Sequence, residues 1–196
     1  MSRLILASAS PQRKTLLHGL GLTFEVMPSR VHEAECAESD PVRRAELLSA
    51  LKARDVAERH RGCVIIGCDT LVVSSVGHLL EKPRDEDDAR RMLTLQSGKT
   101  SWVHSGVTVI SAIGEEFSGI SSSSVTFKKL SKKEEDWWIG TRLWEDRSGA
   151  FQIDGAGQLM IEKIEGDWSG VVGLPVFLLG ELMNEAGFSL VDTDVE

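Results

Sequence analysis

Hydrophobic positions fall into two kinds of segment that alternate along the chain. In one kind, aliphatic and β-branched residues crowd into short runs. In the other, they recur at helical spacing between charged residues. Residues 4–7 read as a short buried strand. Residues 11–18 read as a helix with Ser10 as cap, Pro11 in the first position, and Gly19 and Gly21 at its end. A second strand is expected over 24–27, then a polar loop through Asp40. A long helix is expected over 41–59, with Leu47, Leu48, Leu51 and Val56 on its apolar face. Residues 64–73 form an apolar, β-branched run interrupted by Cys68, Asp69 and Thr70; a turn at 74–77 leads to a return strand over 79–81. A helix over 85–95 carries acids in its first turn and ends near Gly98. Residues 102–113 and 117–130 read as a hairpin of longer strands, with the serines at 121–124 on the second. Ser131 and Glu134 form a capping box that opens a short helix. Strands over 151–153 and 159–164, a strand-to-helix passage over 171–175 with Pro175 at the first helical position, a last helix over 175–185 and a frayed tail over 191–196 complete the pattern. Hairpin and crossover connections together predict an α/β fold with a mixed sheet.

The 196 residues suffice for one large domain or two small lobes, with a sizeable core in either case. Lys plus Arg total 22 against 30 Asp plus Glu, a formal net charge of −8. This balance argues against nonspecific nucleic-acid binding, yet leaves room for an anionic small molecule in a local basic pocket. No apolar run approaches the roughly 20 residues needed to cross a bilayer, so no membrane partner is expected. The start of the chain reads as a buried strand and not as a signal peptide, because Arg13 and Lys14 follow at once. Cys36, Cys63 and Cys68 are odd in number and form no CxxC pair, so neither a disulfide framework nor a zinc site is expected; a cytoplasmic, reducing setting fits. The five histidines lack metal-ligand spacing. Trp137 and Trp138 read as core or as a subunit contact.

Four groups of residues could carry chemistry. Ser8, Ser10, Arg13 and Lys14 cluster at a helix N-terminus, where free N–H groups can meet phosphate; local pattern alone favours a capped surface helix with two solvated cations, since such caps are common. Asp69 sits inside the buried run, where a carboxylate is costly unless paired or bound to metal; it is a candidate general base or ligand, or else faces solvent at a kink beside Gly67. Lys52 and Lys82, with Arg13, would neutralise phosphate charge if the fold brings them together, and Glu33 or Glu35 could add a carboxylate for Mg²⁺ beside Asp69. Asp154, just before Gly155, marks a ligand contact or a tight turn.

The ordered set Leu6-Ala7-Ser8-Ala9-Ser10-Pro11-Gln12-Arg13, Lys52-Ala53, Gly67-Cys68-Asp69-Thr70, Glu81-Lys82-Pro83, Ser97-Gly98, Gly149-Ala150-Phe151 and Val171-Val172-Gly173-Leu174-Pro175 resembles the Maf family of nucleoside triphosphate pyrophosphatases, over nearly the whole chain. The resemblance implies a Maf-like (ITPase-like) α/β fold over 1–196, a single domain of two lobes, with an elongated mixed sheet flanked by helices and a central cleft. It implies a divalent metal (Mg²⁺ or Mn²⁺), a nucleoside triphosphate substrate cleaved to monophosphate and pyrophosphate in a house-cleaning role, and a homodimer. On this footing Asp69 is the proton acceptor and Glu33 assists with metal or water. Arg13, Lys52 and Lys82 hold the triphosphate, with Ser8 and Ser10 beside them. Gln12, Thr70 and Asp154 match the positions that separate substrate types. Thr70 and the Glu81-Lys82-Pro83-Arg84 segment favour the dTTP/UTP type. Gln12 and Asp154 depart from it, and the acid is closer to the 7-methyl-GTP type. Ser101 and Ser105 stand where His and Thr are common. The expectation is a dTTP/UTP pyrophosphatase; the alternatives are a 7-methyl-GTP pyrophosphatase and a nucleotide-binding regulator of cell division with little catalysis.

Overall fold

Three long strands dominate the architecture. In a computed structural model that describes residues 3–189, β3 (Val64–Val73), β5 (Thr100–Ile110) and β6 (Glu116–Phe127) lie side by side, antiparallel and in register. At about 3.3 Å per residue they extend for roughly 35 Å. Around them the chain adds β1 (Leu4–Leu6), β2 (Glu25–Val26), β4 (Leu79–Leu80) and β7 (Ile161–Glu165). The seven-stranded order is β2-β1-β3-β5-β6-β7, with β4 pairing β3 off this path. β1 is parallel to β2 and to β3, whereas the remaining pairs are antiparallel. The expected mixed α/β sheet is therefore present. Its helices are α1 (Pro11–Gly19), α2 (Pro41–Arg59), α3 (Glu86–Gln96), α4 (Lys132–Thr141), α5 (Trp168–Val172) and α6 (Val176–Glu185).

Burial divides into three clusters threaded by the same strands. Leu6, Leu17, Ile66, Val107, Leu179 and Met183 fill one face of the sheet near β1. Ile5, Ala53, Val56, Ile65 and Ile110 fill the opposite face, below α2. Val72, Leu93, Phe127, Trp138, Phe151 and Met160 make a larger cluster toward the other end of the long strands.

The helix ends form for the reasons foreseen. Ser10, Asp40 and Ser131 cap α1, α2 and α4, the last through a complete capping box. Asp85 lies just outside α3 as its cap.

Several expectations need correcting. Leu47 is exposed and Leu51 half-buried, and the buried residues of α2 are Ala45, Leu48, Ser49, Ala50, Lys52, Ala53 and Val56. The cause lies in the sheet: a Cβ at Gly67 would overlap the Ser49 carbonyl, and one at Gly106 the Ala45 carbonyl, so the helix backbone settles directly on β3 and β5. Residues 151–153 form no strand, because Gly149 (φ 74°) and Ala150 (φ 57°) both adopt left-handed backbone and turn the chain off the sheet. A 3₁₀ turn at Ala156–Met160 delays β7. Residues 171–175 contain no strand either: α5, capped by Asp167, ends at Gly173 (φ 131°), and Pro175 stands at the cap of α6 instead of its first turn. Trp138 is fully buried, while Trp137 is partly exposed. The tail expected at 191–196 lies outside the described residues.

Candidate active site

A cleft of about 720 Å³ opens where the ends of β1 and β3 meet the segment that follows α4. Ser8, Ser10, Gln12, Arg13, Glu33, Lys52, Asp69, Thr70, Lys82 and Asp154 all line it. Lys14 and Glu35 are not among the lining residues. Residues spread over 147 positions of sequence (8 to 154) thus share one cavity.

The close seating of α2 builds the centre of the site. Asp69 pairs across the sheet with Gly106, and Gly67 precedes it on the same face of β3. Both glycines admit α2, and Lys52 on that helix then reaches the strand. Its Nζ lies 2.5 Å from Asp69 Oδ1 and 2.6 Å from Glu33 Oε1. Lys52 and Asp69 are buried, whereas the Glu33 side chain is 56% exposed. One ammonium therefore offsets two carboxylates, and the group keeps a net charge of −1. Asp69 Oδ2 is buried and has no hydrogen-bond partner among the described residues. Partial burial opposes ionisation of Glu33, but the adjoining Lys52, with Arg13 and Lys82 beyond it, outweighs that and holds its carboxyl below the usual range. Arg44, one face round on α2, anchors the turn that presents Glu33: its Nη2 donates to the Glu33 carbonyl at 3.1 Å and its Nη1 to the Cys36 carbonyl at 3.0 Å.

A second network fixes the first turn of α1. Arg13 donates from Nε to the Gly173 carbonyl (2.9 Å), from Nη1 to Ser8 Oγ (2.9 Å) and from Nη2 to Thr70 Oγ1 (3.2 Å). One N–H on each terminal nitrogen stays available. Ser105 donates to the Gly170 carbonyl at 2.7 Å, so its oxygen accepts from Thr70, 2.8 Å away. Serine at 105 thus completes the strand locally. Cys68 donates to the Gly173 carbonyl at 3.0 Å, and burial pushes its thiol up, so it stays protonated and structural. Lys82 is largely exposed and lies 3.7 Å from Asp146.

Arg147 is the site residue that sequence reading did not single out. It pairs with Asp154 at 3.3 Å and also reaches Gln12. It lies one position before the Ser148–Gly155 segment, and no spacing pattern marks it. Gln152 also lines the cleft, with a buried Oε1 that has no partner.

The donor set fits a hard divalent cation only in part from protein. Among the described residues no group of three or more His, Cys, Asp or Glu could hold a metal alone. The carboxylates of Asp69, with its unpartnered Oδ2, and Glu33 would offer two oxygen ligands to a cation such as Mg²⁺, whose shell substrate phosphates would complete. Among the described residues no helix is long and apolar enough to cross a membrane.

Residues 3–186 match the family model described as Maf-like protein. A dTTP/UTP pyrophosphatase of Deinococcus radiodurans is 44% identical over 187 residues, covering 95% of this chain and 94% of that one. A dTTP/UTP pyrophosphatase of Methanosarcina barkeri is 40% identical over 194 residues, 98% of each chain. A solved nucleoside-triphosphatase / dITP/XTP pyrophosphatase from Mycobacterium abscessus aligns with a TM-score of 0.42 and 14% identity over 65% of this chain and 75% of that one.

Proposed function

The chain belongs to the family of Maf-like proteins, and on that premise we propose that it hydrolyses dTTP, UTP and related modified nucleotides to the monophosphate and pyrophosphate. The observation that carries the reading is the buried Asp69 carboxylate. One oxygen is neutralised by Lys52, and the other is unpartnered at the wall of a cleft that also holds Arg13 and Lys82.

The chemistry follows from those positions. The Asp69 carboxylate accepts the proton of a water that attacks the α-phosphorus, and the bond from that phosphorus to the bridging oxygen breaks. Negative charge grows on the departing pyrophosphate, where Lys52, Lys82 and the free N–H groups of Arg13 oppose it. Ser8 and Ser10 hold Arg13 and the start of α1 in place. A divalent cation held by Asp69 and Glu33 would supply further neutralisation of the phosphate oxygens.

The proposal extends to a single domain whose two lobes flank the cleft, to a homodimer, to a house-cleaning role and to a cytoplasmic setting. Cys36, Cys63 and Cys68 are all free, as a reducing compartment allows. The test is a product assay with a panel of canonical and modified triphosphates in Mg²⁺ or Mn²⁺, scoring pyrophosphate apart from orthophosphate. Pyrophosphate with dTMP or UMP, lost on chelation, is expected. Orthophosphate, or no product from any base, overturns the reading.

A further inference from the structure

Asp154 is not a free carboxylate. Its Oδ1 accepts from Arg147 Nη1 at 3.3 Å, and the two side chains are 27% and 20% exposed. The same guanidinium donates to the Gln12 carboxamide oxygen, from Nη1 at 3.1 Å and Nη2 at 2.8 Å, with the amide oriented as its hydrogen bonds require. The Gln12 nitrogen then donates to Ser10 Oγ at 3.0 Å. From there the chain of bonds runs through the Ser10 N–H to Ser8 Oγ (3.2 Å), and through Arg13 to Thr70. Gln12, Thr70 and Asp154 therefore belong to one hydrogen-bonded network, and Arg147 is the link that joins Asp154 to it.

We propose that Arg147 is a specificity-determining residue: by neutralising Asp154 and clamping Gln12, it makes the cleft prefer an uncharged base over a cationic one. The inference rests on the reading of this cleft as a nucleoside triphosphate site. A bare carboxylate on the wall of such a cleft attracts a base with fixed positive charge and repels none that is neutral. The Asp154 charge is instead compensated within the protein, by a guanidinium that lines the same cleft. The planar guanidinium serves both partners at once, a geometry that a single ammonium does not reproduce.

The two members of the pair make opposite predictions. Arg147→Ala frees the carboxylate, so the ratio of kcat/KM for 7-methyl-GTP to that for dTTP should rise by about tenfold. Asp154→Asn leaves the guanidinium without its counter-charge, so the same ratio should fall. The double variant should return toward the wild-type ratio. Thermal melts check that each variant is folded. A ratio unchanged in Arg147→Ala, with both substrates losing activity in proportion, would mean a purely structural arginine and overturn the proposal. A shift that survives in the double variant would do the same. If Arg147→Ala does not fold, Asp154→Asn decides alone, and an unchanged or raised ratio sinks the idea. Failure of the wild type to release pyrophosphate from either nucleotide is a different result; it removes the nucleotide reading and this inference with it.

Discussion

Lys52 sits between Asp69 and Glu33, and the three side chains divide their work by burial. Asp69 is enclosed, and Lys52 pairs with one of its carboxylate oxygens. Replacing Asp69 by Asn preserves shape and one hydrogen bond while removing the proton acceptor. The expected result is a fall in kcat of about 10²–10⁴-fold with the melting temperature retained, measured by pyrophosphate release and calorimetry. A variant of undiminished kcat would remove Asp69 from the chemistry. Glu33 is more exposed, and its role shows in acid. Its folded pKa lies below the unfolded one because Lys52 stabilises the carboxylate. The resulting stabilisation is complete above the ordinary carboxylate range and is lost as pH falls through the lowered folded value. The wild-type melting temperature should therefore drop more steeply with acid than that of Glu33→Gln across this window. Solvent screening keeps the difference small. Parallel curves would show that the Glu33–Lys52 contact contributes nothing to stability.

At the scale of elements, the site depends on how near α2 lies to β3 and β5. Gly67 and Gly106 set that distance, because an added methyl at either would overlap helix backbone that cannot move aside alone. Gly67→Ala should cost about 1–3 kcal/mol in denaturant unfolding and lower kcat as well, since Lys52 is carried outward with the helix. Gly140→Ala on α4 is the contrast: nothing lies within 4 Å of a Cβ there, and stability should hold or rise by up to about 1 kcal/mol. Equal effects at the two positions would contradict this account of the site. The same packing explains what was legible in sequence. The bounds of α2 and β3 were readable because a capping Asp40, Pro41 and an unbroken β-branched run are local signals. The buried face of α2 was legible only in part: Leu48 and Val56 are buried as expected, but leucines advertise burial at Leu47 too, whereas Ala45, Ser49 and Ala53 are buried through glycines on strands elsewhere in the chain. Residues 151–153 looked like a strand by composition; the left-handed backbone just before them is not a property of apolar pattern. The residues gathered in the cleft were singled out through an ordered resemblance, and local chemistry alone left Lys52 and Lys82 indistinguishable from solvated lysines. Arg147 stayed hidden because its meaning depends on two partners, Gln12 and Asp154, that only tertiary structure brings to it.

For the molecule as a whole, the question is whether the cleft separates independent parts. β3, β5 and β6 argue that it does not. Val72, Val103, Val125 and Phe127 belong to the cluster at one end of these strands, and Ile66, Val107 and Val109 to a cluster at the other. No strand can leave one cluster without pulling on the other, so thermal unfolding should be a single cooperative transition. The cleft runs from α1 and α2 across to the segment around Arg147 and Asp154, so a nucleotide bound there should touch both sides. The cleft should also repel it less than the overall charge of −8 implies, because Arg13, Lys52, Lys82, Arg142 and Arg147 balance the acids Glu33, Asp69, Glu145, Asp146 and Asp154 that line it with them. A non-hydrolysable dTTP analogue at about 100 times its Kd contributes about 2.7 kcal/mol to the folded state. For a chain of this size that raises the midpoint by roughly 5–10 °C. The whole transition should move by that amount and remain single in calorimetry. Two resolved transitions, only one of them displaced by the analogue, would mean that the nucleotide engages one side alone and that the long strands do not couple the clusters they join.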